Sequence, residues 1–441
     1  MRARLIKSSQ TGARFAQAEP LNFVPDTMNV EGTLLCIFPN EPFQSVAGFG
    51  GAFTEAASTT LDKLPPAACE KVFCAYFDLD GGIGYNFCRT HIGSCDFSLG
   101  NYTYVEEGDM DLSTFSIDHD RTSLIPMIKE AKRYGDFQLF ASPWSPPAYM
   151  KTTGEMNRGG KLKPECQSLW AKYIAKYIEE YKKEGIDIWA VTVQNEPNAT
   201  QPWDSCLYTG EEERDFIKNH LGEEMSKLGV KIMVWDHNKE RVYERGCTVL
   251  DDPIAARYVC GTTCHWYSGD HFEQLSLLHR RHPDKCIVFS EGCHEYRVSD
   301  ASDWDIAERY AHDIIGDFNN YCAAFTDWNL LLDEKGGPNH VGNYCHAPVM
   351  ADTRTGEVTL NSAYYAIGHF SKFVRRGAVR IGLSKYTDQL EACAFLNPDG
   401  SVVAVVLNRG DAAKDVILRM NGQIADTVID AHSIVTAVIE G

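Results

Sequence analysis

The segment "SLWAKYIAKYIEEYKKEGIDIWAVTVQNEP" (residues 168–197) contains a helical pattern followed by an apolar β run. The helical pattern stops at Gly185, and glycine is typical of the position just after a helix. The apolar run at 187–196 then ends in an amide, a carboxylate and a proline. A run that is apolar on both faces is typical of a parallel strand covered by helices. The segment therefore predicts one unit of a parallel α/β fold.

The same alternation of apolar runs and amphipathic helical stretches extends from about residue 45 to residue 370. The apolar runs cover residues 45–53, 85–93, 137–144, 187–196, 231–238, 260–268, 285–292 and 322–329. Eight strand–helix units over roughly 250 residues or more are what a (β/α)8 TIM barrel requires. A doubly wound α/β sheet is the competing topology, and the number of runs favours the barrel. We therefore predict a barrel over residues 45–374.

The C-terminal part of the chain has a different pattern, in which β runs follow one another directly. In "LEACAFLNPDGSVVAVVLNRG" (residues 390–410), the turn sequence at 397–400 separates two β runs and predicts a hairpin. Residues 375–441 are therefore predicted to form a small antiparallel β domain. Residues 1–44 are also strand-like, and we predict that they join this domain.

The composition excludes some classes of partner. The 441 residues include 42 Lys and Arg and 61 Asp and Glu, a net charge of −19, so the chain repels phosphate backbones and nucleic acid is not expected. No stretch of about 18 apolar residues occurs, so no membrane anchor is expected. The N-terminus lacks the apolar run of a signal peptide, and the 15 cysteines are interpreted as reduced thiols. These features predict a cytoplasmic protein, and the sequence leaves a homo-oligomer open.

Polar and aromatic residues stand at the C-terminal ends of the runs, where the active site of a TIM barrel lies. Four of the eight tryptophans (Trp144, Trp235, Trp266 and Trp328) are at these ends and are predicted to share one face, and Trp203 follows in the loop after the fourth run. Aromatic faces stack on the C–H faces of sugar rings, and carboxylates and amides bind sugar hydroxyls, so this combination predicts a carbohydrate site. The strand-end residues are Arg89, His91, Trp144, Asn195, Glu196, Trp235, Asp236, His237, His265, Trp266, Tyr267, Ser290, Glu291, Asp327, Trp328 and Asn329, with Asp96 just beyond the second run.

Two of these residues, Glu196 and Glu291, form a pair of carboxylates suited to glycoside hydrolysis. They end the fourth and seventh runs, which would face each other across a barrel mouth. One carboxyl group, protonated, would act as general acid on the leaving oxygen, and the other, ionised, would attack the anomeric carbon. A separation of about 5 Å would give retention of configuration, and a wider gap would give inversion.

Structural roles compete with these functional ones. A single glutamate at a strand end is more often a helix cap or part of a surface ion pair. Arg89 is equally consistent with a structural ion pair, His91 and His265 with hydrogen-bonded scaffold, and Asp236 and His237 with loop orientation. Two glutamates that both follow β runs amid strand-end tryptophans nevertheless favour a catalytic site.

Metal and cofactor chemistry finds little support in the sequence. Three fragments look like metal ligands, namely Cys260-x3-Cys264-His265, Cys293-His294 and Cys345-His346. No pair of CxxC knuckles and no HExxH occurs, so neither a metal nor a cofactor is expected. The sequence also lacks the GxSxG elbow of serine hydrolases and a phosphate-binding GxxxxGK[ST] loop.

On the basis of these residues and the segments given below, the chain resembles glycoside hydrolase family 30, in the branch that includes glucosylceramidase. The resemblance implies a (β/α)8 barrel with an attached β-sandwich domain built from both termini, in agreement with the patterns above. The matching segments are "GFGGAFTEAA" (48–57), "GGIGYNFCR" (81–89), "SCDFS" (94–98), "ASPWSPPAYMKT" (141–152), "WAVTVQNEP" (189–197), "HWY" (265–267), "SEGC" (290–293), "TDWNL" (326–330), "GGPN" (336–339) and "GHFSKFV" (368–374).

The resemblance also implies roles for individual residues. Glu196 would be the general acid/base, and Glu291 would be the nucleophile that forms a glycosyl-enzyme. Arg89, Tyr267 and His265 are predicted to support the nucleophile. Asn195 would bond the sugar 2-hydroxyl, a contact that strengthens in the transition state. The full set of predicted substrate-binding residues is Asp96, Trp144, Asn195, Trp203, Tyr267, Trp328 and Asn343.

The loop "NATQPWDSC" (198–206) departs from glucosylceramidase sequences, in which aromatic residues flank the leaving group. Trp203 could replace one of them, but Gln201 stands where another would be expected. We therefore predict a retaining β-glycosidase that releases terminal β-linked glucose from small glucosides, β-gluco-oligosaccharides or glucosylceramide-like substrates. The alternatives are an endo- or exo-β-1,6-glucanase, a β-xylosidase or β-fucosidase, a non-catalytic carbohydrate-binding barrel, and a metal-dependent hydrolase.

Overall fold

The computed structural model describes residues 1–298 and 300–440. Within this part of the chain, eight parallel strands close into a barrel, and ten strands form a separate, mostly antiparallel sheet. The predicted TIM barrel with an attached β domain is thereby confirmed. No helix in these residues is both long and apolar enough to cross a membrane.

The first strands of the chain belong to the β domain. They are β1 (Arg2–Ser9), β2 (Ala16–Asn22), β3 (Val24–Pro25) and β4 (Leu34–Ser45). The barrel follows with β5 (Gly48–Phe53), β6 (Phe87–Ile92), β7 (Gln138–Pro143), β8 (Ile188–Thr192), β9 (Lys231–Asn238), β10 (Val259–His265), β11 (Cys286–Glu291) and, after a short β12 (His294–Glu295), β13 (Cys322–Asn329). Beyond the barrel lie β14 (Leu332–Asp333), β15 (Cys345–His346), β16 (Val349–Asp352) and β17 (Glu357–Leu360).

Helices surround the barrel and cover its outer face. They are α1 (Glu55–Leu61), α2 (Pro66–Phe77), α3 (Asp118–Arg121), α4 (Leu124–Ala131), α5 (Gln167–Lys183), α6 (Gly210–Phe216), α7 (Gly222–Leu228), α8 (Val242–Leu250), α9 (Pro253–Ala256), α10 (Phe272–Arg281), α11 (Asp303–Asn319) and α12 (Ser362–Ser371). In α5 the buried residues Trp170, Ile174, Tyr177 and Tyr181 recur every three or four positions, so one face of this helix packs on the barrel.

The β domain is built from both ends of the chain. Its C-terminal strands are β18 (Val379–Lys385), β19 (Glu391–Leu396), β20 (Val402–Asn408), β21 (Lys414–Met420), β22 (Gln423–Ile429) and β23 (Ser433–Glu440). Strand β1 pairs with β23, and β4 pairs with both β18 and β21. The N-terminal strands therefore lie in the same sheet as the C-terminal ones.

Two extra residues alter the strand ends on which the site is built. In β9 the pairing with β10 skips Asp236, and in β11 the pairing with β10 skips Ser290, so each is the additional residue of a β-bulge. Trp235 and Asp236 have φ angles of 76° and 54°, in the left-handed region. Bulges at barrel rims change the direction in which side chains point. Here both bulge residues are fully buried below the C-terminal rim of the barrel.

The prediction that four strand-end tryptophans share one face is wrong for two of them. Trp235 and Trp266 belong to the large hydrophobic core that contains the buried faces of the helices. Trp235 is turned there by the left-handed backbone of the bulge. Trp266 follows the inward-facing His265, and neighbouring residues of a strand point to opposite faces. Only Trp144 and Trp328 of the four lie at the pocket.

Candidate active site

A pocket of about 130 Å³ opens at the C-terminal ends of the barrel strands. Of the residues predicted from the sequence, those that line it are Asp96, Trp144, Asn195, Glu196, Trp203, Tyr267, Glu291, Trp328 and Asn343. Its other lining residues are Phe97, Gln201, His237, Asn238, Cys293, Glu295 and Arg297.

The two glutamates face each other across this pocket. A carboxylate oxygen of Glu196 and one of Glu291 lie within 4.8 Å of each other. Glu196 has a left-handed backbone, with φ at 46°, and its N–H donates to the carbonyl of Asp236 at 2.9 Å. A glutamate rarely adopts this conformation, and such strain is concentrated at functional sites. The backbone after β8 therefore directs the Glu196 carboxylate towards Glu291.

Glu291 is held by two direct hydrogen bonds. The guanidinium of Arg89 donates to one of its oxygens at 2.5 Å, and the hydroxyl of Tyr267 donates to the other at 3.0 Å. Arg89 also donates to the side-chain oxygen of Asn195 at 2.9 Å, although it is itself fully buried. One cation therefore fixes the positions of both Glu291 and Asn195.

Asp236 lies beneath the pocket and accepts bonds from five side chains. The donors are Arg89 at 2.7 Å, Ser142 at 2.9 Å, Thr192 at 2.7 Å, Ser290 at 2.6 Å and the His265 ring at 3.1 Å. Although burial raises it, the pKa of Asp236 is held well below its usual range by the charges of Arg89 and His265. We call Arg89, Asp236, His265 and Glu291 the floor of the pocket.

Glu196 has longer contacts than Glu291. Gln201 donates to it at 3.3 Å, and the rings of His265 and His237 lie at 3.4 and 3.9 Å. Burial alone raises the pKa of Glu196, but the charges of His237 and His265 and the bond from Gln201 hold that pKa at about 2. Burial raises the pKa of Glu291, and the nearby Glu196 and Asp236 carboxylates add to the rise against the opposing effect of His265 and Arg89.

The two histidines beside the glutamates differ in their surroundings. Although burial lowers it, the pKa of His265 is raised to about 9, because Glu291, Asp236 and Glu196 surround the ring. Burial lowers the pKa of His237 below its usual value. At neutral pH, two cations, Arg89 and His265, therefore contact three carboxyl groups, and the charges balance when one of the three carries a proton.

An aromatic wall closes the inner end of the pocket. The rings of Trp144 and Trp328 are stacked, with centroids 5.1 Å apart and planes at 15°. The Arg89 guanidinium lies 4.8 Å from the Trp144 ring and 5.4 Å from the Trp328 ring, so the cation is also in contact with two π faces. Asp96 accepts from the Asn339 amide at 3.3 Å, and burial raises the pKa of Asp96 well above its usual value.

The outer end of the pocket is formed by segments outside the barrel strands, including the short strand β12, and we call Gln201, Trp203, Glu295 and Arg297 its mouth. The Arg297 guanidinium lies 5.9 Å from the Trp203 ring, and its Nε donates to Glu295 at 2.9 Å. The Arg297 side chain is 57% exposed. Sequence reasoning missed Arg297 and Glu295, because they follow the seventh run by several residues and no pattern shows that their loop folds back over the pocket.

Clusters of metal-ligating side chains occur at two places in residues 1–298 and 300–440. One is Glu196, His265 and Glu291, and the other is Cys247, Asp251 and His282 on the outer surface. At the first, Arg89 already binds Glu291, and its charge repels a second cation. The fragments Cys293-His294 and Cys345-His346 lie side by side, since β12 pairs with β15, but the three-ligand clusters of the described chain do not include them.

Comparisons with known proteins identify relatives along nearly the whole chain. The glycosyl hydrolase family 30 TIM-barrel domain matches residues 46–374, and the family 30 beta sandwich domain matches residues 377–437. Lysosomal acid glucosylceramidase of Mus musculus is 37% identical over 431 residues, which cover 92% of this chain and 83% of that protein. SrfJ from Salmonella typhimurium has a structure with a TM-score of 0.97 and 36% identity over 100% of both chains. An endo-beta1,6-glucanase structure has a TM-score of 0.89 and 28% identity over 99% of both chains.

These matches confirm the resemblance that the sequence motifs indicated. The first family model alone covers well over half of the chain, and it spans every barrel strand from β5 to β13. The pocket described above lies within that match. The chain therefore belongs to glycoside hydrolase family 30 and is a glycoside hydrolase.

Proposed function

We propose that the protein is a retaining β-glycosidase that removes terminal β-linked glucose. The observation that carries this proposal is the separation of the Glu196 and Glu291 carboxylate oxygens, which lie within 4.8 Å of each other. Retaining enzymes hold their two carboxyl groups about 5–5.5 Å apart, whereas inverting enzymes need about 6.5–9.5 Å to admit a water molecule. The narrow gap favours direct attack by one carboxylate on the sugar.

The proposed reaction has two displacements. In the first, a Glu291 oxygen forms a bond to the anomeric carbon, the bond to the leaving oxygen breaks, and Glu196 gives its proton to that oxygen. In the second, Glu196 takes a proton from water, the water oxygen attacks the anomeric carbon, and the ester bond to Glu291 breaks. Each step inverts the anomeric centre, so the β configuration is retained.

The contacts of the two glutamates support this division of roles. Glu291 has the shorter bonds, from Arg89 at 2.5 Å and Tyr267 at 3.0 Å, and hydrogen bonds to the charged form favour it. Arg89 keeps its charge at every working pH. The contacts of the Glu196 carboxylate are all 3.3 Å or longer. In the reacting enzyme, the one proton shared among the three carboxyl groups is therefore assigned to Glu196.

The pKa shifts of the two glutamates favour the opposite position for this proton. Among the groups around Glu196, a charged His237 makes the largest contribution to its low pKa. Burial lowers the pKa of His237, so this ring is neutral near pH 7 and its contribution to the shift is then lost. A sugar in the pocket also displaces water and brings its leaving oxygen to Glu196. Both changes favour the protonated form of Glu196.

The sugar is assigned from the inner end of the pocket and from the relatives. Asp96 and Asn343 supply polar groups, and the Trp144 and Trp328 rings supply a stacking surface. The names of the mouse glucosylceramidase and of the endo-beta1,6-glucanase share glucose as the sugar. An endo- or exo-β-1,6-glucanase activity is the second candidate, favoured by the TM-score of 0.89 with that glucanase.

The test is a panel of aryl glycosides followed by rescue with azide. We expect the highest kcat/KM for the β-glucoside, a lower value for the β-xyloside and β-fucoside, and no turnover of the α-glucoside. Azide should restore turnover to Glu291→Gly with α-glucosyl azide as product, and to Glu196→Ala with β-glucosyl azide. Activity like that of the wild type in either variant would contradict the assignment.

A further inference from the structure

The pocket has one buried end and one exposed end, and this asymmetry indicates which part of the substrate each end holds. At the inner end, Asp96, Trp144 and Trp328 are all at most 5% exposed. At the mouth, the Arg297 side chain is more than half exposed. Gln201 of the mouth touches Glu196, the residue that would protonate the leaving oxygen. The sugar ring therefore fits the inner end, and the leaving group fits the mouth.

The chemistry of the mouth is polar. Among the described residues that line the pocket there is no leucine, isoleucine, valine or methionine. An alkyl chain at the mouth would cover the Arg297–Glu295 ion pair and the Gln201 amide without bonding to them, and unpaired burial of such groups costs free energy. A hydroxylated ring would instead stack on Trp203 and exchange hydrogen bonds with these same groups.

We propose that the mouth is a binding site for a hydroxyl-rich leaving group, such as a second sugar unit, and that it does not bind an alkyl chain. This inference rests on the proposed function, because it assigns the leaving-group side of the same site. Arg297 is the specificity-determining residue, since its guanidinium faces both the Trp203 ring and the Glu295 carboxylate at the exposed end.

A series of alkyl β-glucosides of increasing chain length tests directly whether the mouth binds an alkyl chain. In an apolar groove, each added methylene raises kcat/KM about fourfold, the gain when one CH₂ leaves water. We expect the wild-type kcat/KM to change less than about twofold in total from hexyl to octyl to decyl β-glucoside, all kept below their micelle-forming concentrations. A β-linked diglucoside should have a higher kcat/KM than the hexyl glucoside. A steady fourfold rise per methylene would overturn the inference.

A variant at the mouth gives a second readout. Arg297→Met removes the charged donor but keeps a long side chain, so the ratio of kcat/KM for the diglucoside over the hexyl glucoside should fall about tenfold, the lower end for a bond to a charged group. The matched control is Arg280→Met on the exposed face of α10, which should leave the ratio unchanged. An unchanged ratio in folded Arg297→Met would overturn the role of Arg297.

The outcome also separates this inference from the proposed function. Hydrolysis of the aryl β-glucoside together with a rising alkyl series would overturn only the inference about the leaving group. Absence of any hydrolysis of the aryl β-glucoside by the wild-type protein would overturn both. Thermal unfolding of each variant identifies any loss of fold, and Arg297→Gln, which keeps a polar donor, should then recover part of the ratio.

Discussion

The floor and the mouth of the pocket are built in different ways. The floor residues Arg89, Asp236 and Glu291 stand on barrel strands, are almost fully buried and are bonded to one another. The mouth residues Trp203 and Arg297 stand outside the barrel strands, and the Arg297 side chain is more than half exposed. A substitution at the mouth can therefore alter the choice of leaving group while the floor keeps its reaction geometry.

The largest effect is expected at the floor, where the nucleophile stands. Glu291→Gln keeps the size of the side chain but removes the attacking carboxylate, so kcat for an aryl β-glucoside should fall by about 10⁵-fold or more. Steady-state kinetics provides the measurement, with Glu273→Gln on the exposed face of α10 as the control. A loss smaller than about tenfold would mean that another group attacks the sugar.

The next effect concerns the buried ion pair below the nucleophile. Asp236→Asn leaves Arg89 without one of its two counter-charges, so we expect a loss of about 3–5 kcal/mol in the free energy of unfolding and a fall of about 10²-fold in kcat. The comparison variant is Asp251→Asn, which breaks the exposed pair with Arg281 and should cost about 0–1 kcal/mol without changing kcat. If denaturant titrations gave the same loss in the free energy of unfolding for both variants, the buried pair would not stabilise the protein more than the exposed pair does.

The floor should also give the protein a characteristic pH dependence. The pKa of His265 is raised from 6.5 to about 9, so its ion pairs stabilise the fold fully below pH 6.5, and this stability is lost as the pH rises through 9. The rise corresponds to about 3 kcal/mol. Denaturant titrations at pH 6 and pH 10 should show this loss in the wild type and a much smaller one in His265→Gln. Parallel curves for the two proteins would contradict the prediction.

The smallest effect is expected where the mouth meets the catalytic acid. Gln201→Leu removes a donor to Glu196, and loss of that bond raises the Glu196 pKa. The alkaline limb of kcat/KM should therefore move to higher pH, with a rate change of about tenfold or less at neutral pH. Gln274→Leu on α10 is the control. A shift of the limb to lower pH would show that Gln201 does not act through Glu196.

The sequence predicted much of the floor because strand ends carry clear signals. The eight apolar runs correspond to the eight barrel strands, and Glu196 and Glu291 follow β8 and end β11. Their meeting follows from barrel topology, in which all strand C-termini lie at one rim. The roles of Arg89 and Tyr267 beside Glu291 were also anticipated, and the structure places both within hydrogen-bond distance of it.

Two features of the site could not be predicted from the sequence. The bulges at Asp236 and Ser290 reverse the alternation of side chains, so a pattern of inward and outward residues could not show that Trp235 leaves the pocket while Asp236 lies below it. The mouth depends on how the loop containing Glu295 and Arg297 folds back, which long-range packing decides. At these positions, the local sequence does not show which way the side chains or the loop point.

The most direct test of the account is the configuration of the first sugar released. Proton NMR of an aryl β-glucoside reaction, recorded before the released glucose equilibrates, distinguishes the α from the β anomer by the coupling at the anomeric proton. The separation of the Glu196 and Glu291 oxygens within 4.8 Å predicts β-glucose as the first product. Release of α-glucose would show that water attacks directly, and it would contradict the double displacement through Glu291.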